Sequence, residues 1–362
     1  QTMDVNALIN RYDRLKARRG PKLKRFVDGE QPFLVIQRPG GSRLWHDCNS
    51  VEHVVKNNWE TFAANLDFEF TDELPYLEPW IGVGVFANAF GCNYVWREGE
   101  APATHYRYSE LAEVAELEQP DWRKSPVMRM VLEVIDAINA RSSGRLPISL
   151  TDTQSPFDTA TLIVDATNFM IGCYDTPELA KRFLGQVTDT IIAFSKVQYE
   201  HIGPCAMRPG HGMYGNPFGR GIALSDDNLS FCDAAFARTF AIAFNQRLGE
   251  AFGGVAIHSC GAWPHVMRQL KDFSQVFMID CALSMDCDPS PCSPAAVRDA
   301  LKGSGIIVKV RVGNDLPKTL SMLEELADPT LQLVVEIGYS ETYAEDHYRT
   351  VTEKLGKLYG IS

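Results

Sequence analysis

The chain has 362 residues, 45% hydrophobic and 22% charged, with a formal net charge of −11. That profile suits a globular protein with a sizeable core, and the negative charge argues against a general binder of nucleic acid or anionic membrane. No stretch reaches the roughly 20 apolar residues needed to span a bilayer, and the nine cysteines are scattered and odd in number, which excludes a disulfide framework as the organising feature.

In chain order, the first element is a basic helix. Leu8, Ile9, Tyr12 and Leu15 recur at helical spacing as its buried face, and Arg11, Arg14, Lys16, Arg18, Arg19, Lys22, Lys24 and Arg25 form its wet face. Nothing at this end resembles a secretory signal, so a reducing, cytoplasmic location is expected. Eight apolar runs then read as strands: 33–37 (FLVIQ), 80–86 (WIGVGVF), 146–152 (LPISLTD), 221–226 (GIALSD), 254–260 (GVAIHSC), 276–280 (VFMID), 306–312 (IIVKVRV) and 331–337 (LQLVVEI). Between them lie helical patterns, among them 128–141, 177–201 and 233–252, with Asp175 and Thr176 as N-cap chemistry before Pro177. The stretch 203–221 (GPCAMRPGHGMYGNPFGRG) reads as a long loop over the mouth of the fold. Alternating strands and helices imply a parallel sheet, and eight units in this length close most economically into a (β/α)8 TIM barrel. No linker divides the chain, so residues 1–362 are read as one domain; no G-x-G-x-x-G phosphate loop supports a doubly wound alternative.

The strand-like runs end in polar groups. Asp152, Asp226 with Asp227, His258 with Cys260, Asp280 with Cys281, Asn314 with Asp315, and Tyr339 with Glu341 all follow apolar runs. In a barrel such positions share one rim, where catalytic groups collect. His258 and Cys260 are two apart, so on a regular strand both leave the same face, and an imidazole beside a thiolate suits Zn2+. A third ligand is available on the next strand as Asp280 or Cys281, which leaves a fourth position open for substrate.

These residues carry a resemblance. Ile257-His258-Ser259-Cys260-Gly261 resembles the H-x-C-G of the uroporphyrinogen decarboxylase superfamily, which includes zinc-dependent corrinoid methyltransferases such as methylcobalamin:coenzyme M methyltransferase. Thr151-Asp152-Thr153-Gln154-Ser155-Pro156-Phe157 is similar to the family's third-strand segment, and Tyr174-Asp175-Thr176-Pro177-Glu178 to its D-x-P-E helix start. Ser225-Asp226-Asp227 resembles the acidic end of the fourth strand, and Val312-Gly313-Asn314-Asp315-Leu316-Pro317 the G-N-x-x-P of the seventh. Two departures stand out. Where the decarboxylases carry M-R-Q-A-G-R-Y, this chain reads Ile36-Gln37-Arg38-Pro39-Gly40-Gly41-Ser42-Arg43-Leu44-Trp45. Where the eighth strand supplies a family histidine or cysteine, it has Tyr339 after Gly338.

The resemblance implies methyl transfer between a corrinoid or methylated donor and a thiol-type acceptor. Zn2+ would sit on His258 and Cys260 with Asp280 or Cys281, and a separate corrinoid-binding protein would be the partner. Asp226, Asp227 and Tyr339 are then the candidate catalytic groups, and Arg38, Arg43, Asp152 and Asn314 the candidate substrate-binding groups. Two alternatives remain open at this point. One is a metal-free decarboxylase of a tetrapyrrole-like or other carboxylated substrate, with Arg38 and Arg43 as anion clamps; the other is a non-catalytic tetrapyrrole or corrinoid binding module.

Overall fold

A computed structural model describes residues 4–39 and 47–361. Six parallel strands form a continuous sheet in the order β1-β8-β7-β6-β5-β4. They are β1 Phe33–Ile36, β4 Ile222–Ser225, β5 Val255–His258, β6 Val276–Ala282, β7 Ile307–Arg311 and β8 Leu333–Glu336; a separate antiparallel hairpin pairs β2 (Asn93–Val95) with β3 (Ala103–His105). The strands are almost wholly buried. This agrees with their near-continuous apolar runs, as expected for a parallel sheet covered by helices.

Single bridges and backbone hydrogen bonds complete the ring. Gln154 bridges Ser225 and Leu77 bridges Ile148, both parallel, and Asp72 N donates to Val35 O (2.9 Å) beside β1. The result is an α/β barrel of the (β/α)8 kind, with its second and third positions held by short bridging segments. Six of the eight sequence-read strands coincide with strands of the sheet to within one to two residues at each end. The second does not. Residues 80–84 are irregular and Val85–Ala89 is helical, while the second position falls to the stretch around Leu77. Apolarity alone misplaced it: Trp80, Ile81, Val85 and Phe86 are buried, but in a loop and in a short helix that packs against its neighbouring helices. The third position lies where expected but is reduced to bridges at Ile148 and Gln154.

Among the described residues, seven α-helices precede β4: α1 Val5–Val27, α2 Val51–Leu66, α3 Val85–Ala89, α4 Pro126–Ser142, α5 Pro156–Ile163, α6 Ala166–Asp175 and α7 Pro177–Ile202. Leu8, Ile9, Tyr12 and Leu15 of α1 are buried as predicted. Arg19 is not on a wet face; it is buried and donates to Glu73 O (2.7 Å) and Phe68 O (2.6 Å). Thr176 is the N-cap of α7 but gives no side-chain cap, its hydroxyl donating instead to Gly172 O (3.1 Å). The helical pattern at 233–252 is realised as one run with a π-helical turn, Arg238–Ile242, inside it.

The connection from α7 to β4 differs from the expected lid. Ala206 bridges Ile148, Met207 N donates to Ile148 O (2.8 Å), and Ala223 N donates to Pro209 O (3.0 Å). The segment is therefore built into the barrel wall between the third and fourth positions. Its later part is pinned as well, with Leu74 N donating to Gly215 O (2.9 Å) and Gly215 N to Glu73 Oε2 (2.8 Å). Among the described residues, no helix is long and apolar enough to cross a membrane.

Candidate active site

The register of the sheet assembles the site. His258 is aligned with Asp280, and Asp280 with Lys309, so three adjacent strands present these side chains at one level. His258 Nδ1 bonds to Asp280 Oδ2, Lys309 Nζ donates to Asp280 Oδ1 (2.6 Å), and Arg311 Nε lies 3.2 Å from Asp280 Oδ2. Lys309 also reaches Glu336 Oε2 (2.6 Å), and Arg38 stands 4.0 Å beyond it. Charges of alternating sign thus run around the barrel interior from Asp280 on β6 through Lys309 and Glu336 to Arg38 after β1. Burial works against the charge on Asp280, but Lys309 and Arg311 outweigh it and hold this carboxyl well below the usual carboxylate range. A carboxylate cannot donate, so the shared hydrogen belongs to His258 Nδ1, and in the tautomer able to bind a metal the lone pair is on Nε2.

That Nε2 lies 3.4 Å from Cys260 Sγ and 3.5 Å from Asp227 Oδ1. The three ligand atoms lie within 4.8 Å of one another. Asp227 Oδ1 also accepts from Cys260 N (2.7 Å), which ties the ends of β4 and β5 together. The set fits a metal. Oxygen, nitrogen and sulfur ligands at 2.0–2.3 Å from a tetrahedral zinc stand roughly 3.3–3.7 Å apart, which brackets the two separations from His258 Nε2. The chemistry agrees: burial first, then the neighbouring Asp227, push the Cys260 thiol up to about 12, so the sulfur needs a cation to give up its proton.

Of the expected ligands, His258 and Cys260 are brought together, and Asp227 stands with them where Asp280 or Cys281 was expected. Asp280 is occupied on the other ring nitrogen. Cys281, next along β6, faces away from the interior, wholly buried. Its thiol is pushed well above its ordinary range by its hydrogen bond to Cys292 and by burial.

The other candidates divide. Asp226 is fully buried and accepts from Asn245 Nδ2 (2.7 Å) on the outer helix; burial raises its carboxyl to about 6, against that hydrogen bond. Asp152 accepts from Trp80 Nε1 (3.1 Å) and Gln154 Nε2 (2.9 Å). Asn314 is exposed on the rim, its Nδ2 3.4 Å from Tyr339 O. The Tyr339 ring packs edge-on against Phe68 (5.6 Å between centroids) and is not part of the group formed by Asp227, His258 and Cys260. Arg38 is committed to Glu73, with Nε and one terminal nitrogen at 2.6 and 2.9 Å from its two carboxylate oxygens and a further bond to Met213 O (3.0 Å). Arg43 lies outside the described residues.

Of the candidates, Arg38, His258, Cys260 and Asp280 line a cavity of about 560 Å³, within the usual range for a small-molecule site, whereas Asp152, Asp226, Asp227, Asn314 and Tyr339 are not part of its lining. Sequence reasoning missed several of its polar residues: Lys309, Arg311, Glu336, Glu73, Glu78 and His211. Lys309 and Arg311 carried a usable signal, two cations at period two inside an apolar strand, which puts both on the barrel's inner face.

Comparison with known proteins follows this geometry. Residues 81–207 match the uroporphyrinogen decarboxylase (URO-D) family. A methyltransferase from Methanosarcina mazei superposes with a TM-score of 0.60 at 15% identity, over 85% of this chain and 86% of that one, a likeness of fold. No curated protein sequence matches the chain. The family match is to residues 81–207, a minority of the chain, and the wider likeness to the methyltransferase is one of fold.

Proposed function

We propose that this chain is a zinc-dependent methyltransferase, moving a methyl group between a corrinoid or other methylated donor and a thiol-type acceptor. The observation that supports the reading is the Asp227, His258 and Cys260 triad, of which His258 and Cys260 line the cavity, with the second nitrogen of His258 held by Asp280. When bound there, Zn2+ supplies Lewis acidity that lowers the pKa of an acceptor thiol. The chain's own residues do the rest. Asp280 fixes the ring tautomer of His258, and Lys309 and Arg311 keep Asp280 ionised. A separate corrinoid-binding protein is the expected partner for a corrinoid donor.

The decarboxylase alternative is less well supported, because Arg38 has its guanidinium fork spent on Glu73 and is not free to clamp a substrate acid. The test is metal content together with methyl transfer from methylcobalamin to 2-mercaptoethanol. Zinc near one per chain and zinc-dependent thioether formation are expected. A chain that takes up no zinc from excess metal overturns the reading.

A further inference from the structure

His258 and Cys260 of the triad line one part of the cavity. Another part of its wall carries a second histidine that the chemistry above does not use. His211 sits on the wall segment between Gly210 and Gly212, whose φ angles of 114° and 72° belong to the region glycine favours. Its Nδ1 bonds to Glu78 Oε1. Glu78 is itself fixed, its backbone N donating to Asn58 Oδ1 (2.6 Å) and its carbonyl accepting from Asn58 Nδ2 (2.8 Å). Among the described residues His211 Nε2 has no hydrogen-bond partner, the Oδ2 of Asp152 being 3.6 Å away. His211 and Glu78 line the same cavity as His258 and Cys260.

A carboxyl-bonded imidazole whose far nitrogen makes no hydrogen bond, with only the Asp152 carboxylate nearby, in a substrate cavity is the arrangement of an acid–base group. Its charge state settles which. Burial disfavours the cation and Arg38 opposes it, but Asp152 and Glu78 prevail and raise the ring from 6.5 to about 9. Tyr76 and Glu73 complete this wall. At neutral pH the ring is an imidazolium with an Nε2–H to give.

We propose that His211 is a general acid, passing its Nε2 proton to the oxygen released by an aryl methyl ether that serves as methyl donor. This rests on the methyl-transfer reading and selects among its donors. A sulfonium, an ammonium or a methylcorrinoid leaves without gaining negative charge at a basic oxygen, so an acid has nothing to do there. An ether oxygen leaves as an oxyanion. A phenol titrates near ~10, close enough to His211 for efficient proton transfer, whereas an aliphatic alkoxide is far more basic. In the balanced step the acceptor sulfur bonds to the methyl carbon, the carbon–oxygen bond breaks, and its electron pair stays on oxygen, which takes the His211 proton. The proton lost by the acceptor thiol restores the imidazolium. The sum is ether plus thiol giving phenol plus methyl thioether, with nothing oxidised or reduced.

The experiment uses the zinc-loaded full chain with 2-mercaptoethanol and two ethers, 4-methylanisole and 4-nitroanisole, beside methylcobalamin. His211→Asn is expected to lose about 10²–10⁴-fold in rate with the methyl-substituted ether. It should lose far less with the nitro-substituted one, whose phenoxide needs no proton and whose turnover proves the variant folded. Glu78→Gln should move the basic limb of the pH–rate profile from about 9 toward 6.5. Equal loss with both ethers, or no loss, overturns the assignment. Turnover of methylcobalamin but of neither ether by the parent protein removes the inference and leaves methyl transfer standing. Turnover of none of the three donors removes methyl transfer as well.

Discussion

Asp280 lies directly across from His258 in the β5–β6 register and takes the hydrogen of its Nδ1, so the imidazole presents Nε2 to Cys260 with no freedom of tautomer. Metal affinity should therefore depend on a residue that is not itself a ligand. Asp280→Asn is expected to weaken zinc binding about 10–100-fold, the usual cost of losing such support, as measured by chelator competition on protein whose fold is checked by circular dichroism. An unchanged affinity would show that the hydrogen bond has no part in metal binding.

The triad makes a sharper prediction. Cys260→Ser and Asp227→Asn should each reduce zinc content well below stoichiometric after dialysis, while Cys281→Ser, a change at a sulfur facing away from the cavity, should keep it. Elemental analysis of the three variants beside the parent decides the matter. Loss in Cys281→Ser with retention in Asp227→Asn would restore the ligand set first expected from the sequence.

Lys309 is buried between Asp280 and Glu336. Its replacement by Met removes the cation between two carboxyl groups, leaving Asp280 with Arg311 alone and Glu336 with the more distant Arg38. Breaking a buried pair in this way costs about 3–5 kcal/mol, so the urea midpoint of Lys309→Met should fall sharply. A midpoint within error of the parent would mean that the charges are solvated and the interior is wet.

The pH dependence of stability follows from His211. Its folded pKa is raised from 6.5 to about 9, so the protonated ring favours the folded chain. That contribution is complete below about 6.5 and disappears as pH rises through about 9. The parent should lose more thermal stability than Glu78→Gln between pH 6.5 and 9.5, because the variant lacks the carboxyl that raises the ring. Parallel melting curves for the two proteins across that window would contradict the assignment.

Uroporphyrinogen should not be decarboxylated at a useful rate. Arg38 is engaged by Glu73, and Tyr339, where a decarboxylase has its histidine, packs against Phe68. Anaerobic incubation and chromatography should detect no steady formation of coproporphyrinogen.

The half of the barrel from β4 round to β1 was legible because each strand there is a buried apolar run closed by polar residues, and His258 and Cys260 could be paired from their spacing alone. What could not be read was depth and direction. Asp227 and Asp280 look alike in sequence as acidic residues at strand ends. The first is free to join the triad because Asp226 beside it has turned outward to Asn245, whereas the second is consumed by cations from β7. Glu78 and His211 lay beyond reach because they meet across 133 positions, in segments with no strand periodicity. The segment around Leu77 was overlooked for the same reason: a single bridge needs no apolar alternation, and the stronger apolar signal at 80–86 belonged to a loop and helix packed against other helices.

The uneven closure of the ring has a mechanical consequence. From β4 to β1 the wall is a cooperative ladder of paired strands, whereas the arc through Leu77, Ile148 and Ala206 hangs on isolated bridges and side-chain clamps. His258, Cys260 and Asp280 belong to the stiff arc; Glu78 and His211 belong to the compliant one. Local opening events are drawn from regions with few cooperative backbone bonds, so amide exchange should be fastest along 72–78 and 206–216 and slowest in β5 to β8. The cavity can then adjust its width to different ligands by flexing one side, while the geometry around His258 and Cys260 stays constant.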